Sequence, residues 1–70
     1  MKVKNIMPVC LLSQTIVIIE SDYVNTNKER LFEGENDELY QNIESLNLSN
    51  RKVHTIVAKD NVLYVFVEKE

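Results

Sequence analysis

The hydrophobic pattern is clearest in the last third of the chain, where two runs rich in β-branched residues flank a polar pair. The runs are residues 53–59 and 62–67, and the pair is Asp60-Asn61. Branching at Cβ favours a pleated strand over a helix. Asp and Asn tolerate the left-handed conformation that a two-residue hairpin turn requires. The pattern therefore predicts a β-hairpin.

A turn at this pair also fixes which side chains of the hairpin share a face. One face pairs Ala58 with Leu63, Ile56 with Val65 and His54 with Val67, and we assign it to the core with Ile56 at its centre. The opposite face is also rich in apolar residues: Val53, Val57, Val62, Tyr64 and Phe66. A half-solvated sheet usually alternates apolar and polar residues. We therefore expect a helix of the same chain or a second copy to cover this second face.

The first twenty residues predict a helix followed by a strand. Val3, Ile6, Met7 and Cys10 recur at helical spacing. They predict a short helix over residues 6–12, with Asn5 as N-cap and Pro8 in the first turn; an extended apolar arm is the alternative. Residues 15–20 contain four consecutive β-branched apolar residues, which place apolar groups on both faces and predict a central strand.

The middle of the chain predicts a second strand and a second helix. Residues 21–28 have turn chemistry, with Asn25 and Asn27 as the left-handed positions, and residues 29–33 form the strand that pairs back. Gly34 should end that strand with a positive φ. Asn36 is the predicted N-cap of a helix over residues 37–46, whose apolar stripe is Leu39, Tyr40, Ile43 and Leu46.

Together these elements predict one α+β domain spanning residues 1–70. It has two short helices and a four-stranded, mostly antiparallel sheet made of two hairpins, in the order αββαββ. Two short helices are enough to cover one sheet face. We expect them to pack on the face of Ile56 and to leave Tyr64 and Phe66 for a partner.

Composition limits the classes of function. A chain of 70 residues is only marginally stable alone, and Cys10 and His54, as single residues of their types, offer neither a disulfide nor a zinc site. A homodimer is therefore the expected source of added stability, and no cofactor or metal is expected. The net charge of −3 argues against a nucleic-acid partner. No apolar run approaches membrane-spanning length and no signal peptide is visible, which indicates a soluble cytosolic protein.

Candidate chemistry is sparse. His54 offers a base or a pH sensor, but without a partner in sequence it is more simply a structural histidine. Cys10 fits a buried thiol better than a reactive one. No catalytic residue is predicted. An acidic cluster is either a solvated turn or a contact patch for a basic partner: Glu33, Glu35, Asp37 and Glu38. The candidate interface residues are Tyr64, Phe66, Val57, Val62 and Tyr40.

A family resemblance runs along nearly the whole chain. It rests on a lead at residues 3–8, the pair Ile16 and Ile18, residues 31–34, and the ending Arg51, Lys52, Val53, Ile56, Ala58, Asp60, Asn61, Leu63, Val65 and Val67. In these positions the chain resembles small uncharacterised proteins encoded by phages and prophages of Gram-positive bacteria. The group often has Gly in its first hairpin turn, where this chain has a longer insert with Asn. The resemblance implies a mobile-element origin and brings no catalytic motif.

These observations favour a non-enzymatic function. We expect a small protein-interaction module of phage type, whose sharpest form is a protein that binds and inhibits a bacterial defence or regulatory protein. The alternative is a structural or accessory component of a phage particle. A nucleic-acid-binding module ranks third because of the acidic balance.

Overall fold

The chain folds as a mixed four-stranded sheet with helices on one face, in a computed structural model that describes residues 1–21 and 28–69. The elements are α1 (Val3–Ile6), a 3₁₀ turn (Met7–Val9), β1 (Thr15–Ser21), β2 (Lys28–Glu35), α2 (Asn36–Asn42), β3 (Val53–Lys59) and β4 (Val62–Val67). The α+β class is confirmed. The predicted left-handed positions Asn25 and Asn27 lie outside the described residues.

The sheet is mixed, and the predicted mostly antiparallel sheet is wrong. Its strand order is β2-β1-β4-β3. β1 pairs antiparallel with β2, and β3 with β4, as the two hairpins predict, but β1 and β4 pair in parallel at the centre. A parallel pair needs a long crossover, and here β2, α2 and β3 all lie in the connection between β1 and β4. Both central strands are apolar on both faces, as strands flanked on both sides should be.

The register of the C-terminal hairpin is confirmed up to one irregularity. Asp60 and Asn61 both have positive φ, at 52° and 65°, which defines a type I′ turn. Ala58 lies opposite Leu63, and Ile56 opposite Val65. A bulge between Val53 and Thr55 then places Val53, not His54, opposite Val67. The predicted faces of these two residues are therefore exchanged.

The core lies between the helices and one sheet face. It is formed by Val3, Ile6, Met7, Ile16, Ile18, Leu39, Ile43, Leu48, Val65 and Val67. Ile16 and Ile18 of β1 are its centre, at 1% and 0% exposed. The expectation that the helices pack on the Val65 face is confirmed for the described residues. Ile56 shares this face but lies on the edge strand and is 40% exposed, so its predicted place at the centre of the core is wrong.

The first helix begins and ends earlier than its periodicity predicts. The amides of Val3 and Lys4 donate to the carbonyls of Arg51 and Ser49, so a distant segment fixes its start. Asn5 lies inside the helix, where its side chain accepts a hydrogen bond of 2.9 Å from the Lys2 amide. The backbone is extended again at Cys10, which is half-buried against the core.

The second helix is shorter than predicted and ends at Asn42. Asn47, with φ 57°, turns the backbone, and the Leu48 amide donates to the Ile43 carbonyl. Leu48 is therefore buried, whereas Leu46 of the predicted stripe is 43% exposed.

Two polar or small residues near the start of α2 differ from their predicted roles. Asn36 is the first helical residue rather than the N-cap, and its side chain is fully buried. Gly34 lies within β2 and has no positive φ. A Cβ at Gly34 would come within 2.9 Å of the Glu38 carboxylate, so the absence of a side chain at Gly34 leaves room for the Glu38 side chain.

Candidate functional site

The sheet face opposite the helices, called here the bare face, is apolar at its centre. Three rows of side chains cross it from β2 through β1 and β4 to β3: Glu35, Thr15, Val62, Lys59; then Glu33, Val17, Tyr64, Val57; then Arg30, Ile19, Phe66, Thr55. No helix in the described ranges packs on this surface. The alternation of the C-terminal hairpin predicts four of its six apolar residues, and Val17 and Ile19 of β1 complete it.

The apolar residues of the bare face differ in exposure across the sheet. Val57 on the edge strand β3 is 43% exposed, whereas Val17, in the same row on the central strand β1, is only 4% exposed. Tyr64 and Phe66 are half-buried and neighbour each other along β4. Aromatic residues of this kind are enriched in protein interfaces because they bring large apolar area with few rotatable bonds. The arrangement suits contact with another protein surface.

Charged residues border the bare face on both sides. Glu33 and Glu35 lie on the β2 side, where Glu33 forms an exposed ion pair with Arg30, and Lys59 lies on the β3 side. The predicted acidic cluster is thus divided. Its other two members, Asp37 and Glu38, belong to the first turn of α2, where the positive end of the helix dipole stabilises acidic side chains.

Tyr40 does not belong to the same surface as the other interface candidates. It lies on α2, in the helical layer, and is 44% exposed. The predicted set is therefore split, with Tyr64, Phe66, Val57 and Val62 on the bare face and Tyr40 on the other side of the molecule.

A histidine–serine contact at one end of the bare face was not visible in the sequence. His54 Nε2 lies 3.0 Å from the Ser21 hydroxyl, and Nδ1 lies 2.8 Å from the Thr55 hydroxyl. The His54 ring also lies 6.1 Å from the ring of Phe66, centroid to centroid. A serine nucleophile must be reached by its substrate, and Ser21 is only 7% exposed. We interpret the contact as structural, joining β3 to the end of β1.

A second long-range polar contact places Arg51 at the end of the core. The Arg51 guanidinium forms an ion pair with Glu20 and donates a hydrogen bond of 3.0 Å to the Glu68 carbonyl. Arg51 is 9% exposed, although its position beside Lys52 resembles a solvated basic pair. The pair fixes the segment before β3 to β1.

A groove of about 470 Å³ lies on the helical side, between the segment after the 3₁₀ turn and the tip of the C-terminal hairpin. It is lined by Val9, Cys10, Leu11, Gln14 and residues 58–63. Gln14 donates to the Asn61 carbonyl at 2.9 Å and ties the two walls together. Within residues 1–21 and 28–69, no three potential ligands are grouped closely enough to hold a metal ion.

Comparison with protein-family models, with curated proteins and with solved structures finds no match for this chain. Among the residues that the structure describes, no helix is long and apolar enough to cross a membrane.

Proposed function

We propose that this protein is a small non-enzymatic interaction module of phage type, which binds a bacterial host protein through the bare face. The observation that carries the proposal is that the two faces of the sheet differ in how they are covered. One face is covered by helices, while the other presents Tyr64, Phe66 and Val57 opposite them. The bare face presents side chains for contact with a partner. Ser21, which lies beside His54 at the end of this face, is buried.

The bare face has the anatomy of an interface core with a polar rim. Removing apolar area from water contributes about 25 cal/mol per Å², and tyrosine is one of the residue types enriched in binding hot spots. Glu35 at the rim favours a partner with a basic residue beside its apolar patch, whereas Glu33 is already paired with Arg30. Such rim charges act mainly on the rate of encounter and on the choice of partner.

The resemblance to phage and prophage proteins supports a host protein as the partner. A module of 70 residues can act on a larger protein by occluding a surface that the larger protein needs. Inhibition of a defence or regulatory protein is the form of this function that we propose, because such inhibition requires binding alone and no catalytic group.

The test compares two tyrosines on opposite sides of the molecule, the half-buried Tyr64 and the exposed Tyr40. Tagged wild-type protein, Tyr64→Thr and Tyr40→Thr are used to capture proteins from a lysate of a Gram-positive host, and the affinity for the captured protein is then measured by calorimetry. We expect Tyr64→Thr to weaken binding about 30-fold, the effect of losing an aromatic hot spot worth about 2 kcal/mol. Tyr40→Thr should bind like the wild type, because Tyr40 lies on the other side of the molecule.

Melting curves of both variants show whether a loss of binding is a loss of fold. If Tyr40→Thr abolishes capture while Tyr64→Thr retains it, the contact surface is the helical layer and the proposal is wrong. Equal binding by all three proteins would also contradict it.

A further inference from the structure

The outer edge of β3 is open. β3 is the last strand of the sheet, and its first residue is covered by the chain's own N-terminus: the Val53 amide donates to the Met1 carbonyl at 2.9 Å, and Lys2 bridges Lys52. Beyond the bulge, residues 55–59 are all exposed. An edge of this kind presents unpaired N–H and C=O groups to which another strand can add.

The turn determines which groups point outward. In the type I′ turn at Asp60-Asn61, the flanking residues Lys59 and Val62 form a hydrogen-bonded pair. Hydrogen-bonded and non-hydrogen-bonded pairs alternate along an antiparallel ladder. The backbones of Ile56 and Ala58 therefore point away from β4, and within the described residues no backbone hydrogen bond reaches them from that side.

The two edges of the sheet differ in how they are protected. β2 carries five charged side chains, at Lys28, Glu29, Arg30, Glu33 and Glu35, and charge is the usual protection of an edge strand. The open stretch of β3 carries one charge, Lys59, at its end. Pairing through β3 alone gives a closed two-fold assembly, because the other edge of each copy resists addition.

We propose that a second copy of this chain pairs with the open edge, β3 against β3 in antiparallel orientation, about a two-fold axis at Val57. Ile56 of each copy then exchanges backbone hydrogen bonds with Ala58 of the other. The two sheets join into one of eight strands. A pairing centred at Ile56 would draw the bulge at His54 into the ladder, and one centred at Ala58 would draw in the turn residue Asp60.

The side chains in this register are self-complementary. On the helical side, Ile56, which is 40% exposed, meets the small Ala58 of the second copy, beside the apolar wall that Leu11 contributes to the groove. On the bare face, Val57 meets Val57 of the second copy. Lys59 lies opposite Thr55, so no like charges face each other across the new ladder.

The dimer deepens the proposed function without being required by it. Because β3 lies at the margin of the bare face, edge pairing places the two bare faces side by side as one continuous apolar surface. The second copy then occupies the edge and leaves Tyr64 and Phe66 available to a different partner.

Sedimentation equilibrium of three proteins tests the edge. Ala58→Pro removes the outward N–H of each copy, whereas Ala58→Ser keeps it with a similar side chain. We expect the wild type and Ala58→Ser to be dimers at about 100 µM, and the dissociation constant of Ala58→Pro to rise at least about tenfold. Wild-type protein that remains a monomer at this concentration would overturn the proposal.

Cross-linking gives a second readout that does not depend on how Ala58→Pro folds. In a Cys10→Ala background, Val57→Cys places two thiols opposite each other at the axis, in a non-hydrogen-bonded pair whose Cα atoms are about 4.5 Å apart. Oxidised glutathione should convert this variant to a covalent dimer. Tyr40→Cys, of nearly equal exposure at 44% against 43%, should remain uncross-linked.

The outcomes separate this proposal from the one on partner binding. A dimer that Tyr64→Thr dissociates, and that Val57→Cys does not cross-link, would place the second copy on the bare face and overturn edge pairing. Loss of host-protein capture in a variant that remains a β3 dimer would instead concern only the bare face.

Discussion

Ile18→Ala should lower the free energy of unfolding by about 2–5 kcal/mol, the cost of truncating a fully buried aliphatic residue. Ile18 is 0% exposed and lies in the central strand, between Phe32 of β2 and Val65 of β4. The cavity left by the truncation is enclosed on both sides by paired strands, which cannot close over it. Because small domains are stable by only about 5–15 kcal/mol, this loss would remove a large share of the stability of the fold and lower its unfolding midpoint accordingly.

Ile56→Ala is the matched control, because it removes the same atoms from a residue that is 40% exposed. It should cost about 1 kcal/mol or less, in line with changes at partly exposed positions. Urea unfolding followed at several protein concentrations separates fold stability from association. A loss at Ile56 as large as that at Ile18 would mean that the edge strand is covered much more deeply than the structure has it.

Asn36→Asp should be nearly as damaging at neutral pH, although it changes one nitrogen to oxygen. The Asn36 side-chain amide is fully buried and donates to the carbonyls of Met7 at 2.9 Å, Cys10 at 3.2 Å and Leu11 at 3.3 Å. A carboxylate there would face three carbonyl oxygens without a proton to share. We expect a loss of about 3 kcal/mol or more.

The loss should depend on pH in a defined direction. Burial and the surrounding carbonyls raise the pKa of the introduced carboxyl above its ordinary value of about 3.9. The damage is therefore smallest below about pH 4, where the protonated acid can still donate, and grows as the pH rises through the folded-state pKa. Asn42→Asp, at an exposed asparagine that bonds the Glu38 carbonyl, is the control and should show little of this pH dependence. Equal unfolding midpoints for Asn36→Asp at pH 4 and pH 7 would contradict the assigned role.

Local chemistry made the C-terminal hairpin predictable. Asp60 and Asn61 adopt the left-handed conformation that their side chains tolerate, and the register of Ile56 and Ala58 follows from that turn. The same alternation identifies Val57, Val62, Tyr64 and Phe66 as one face. A turn and a period of two are local properties, and they survive in the folded molecule.

The hydrophobic pattern of the sequence did not predict the contacts between distant segments. The β-branched run of β1 predicts a strand with neighbours on both sides, but it contains no information that one of them is β4. Val17 and Ile19 therefore could not be assigned to the bare face in advance. The bulge at His54 and its contact with Ser21 likewise depend on strands that meet only in three dimensions.

The predicted ends of the helices were wrong for the same reason. The first helix starts where Arg51 and Ser49 accept its amides, and α2 starts where the carbonyls of Gln14 and Leu12 accept the amides of Asn36 and Asp37. These acceptors replace the side-chain caps that sequence reasoning looks for. The helical spacing of apolar residues therefore predicted that the two helices exist, but not the residues at which they begin and end.

The parallel pairing of β1 with β4 also governs how the chain reaches its native state. Each hairpin can form from neighbouring residues within about 1–10 µs, but a two-stranded hairpin is at best marginally stable in water. The ladder from Thr15 and Val62 to Glu20 and Val67 joins segments from opposite ends of the sequence, and its closure carries the largest entropy cost. We therefore expect the docking of the two transient hairpins to limit the rate of folding, so that the molecule folds as a single kinetic unit although its topology has two halves.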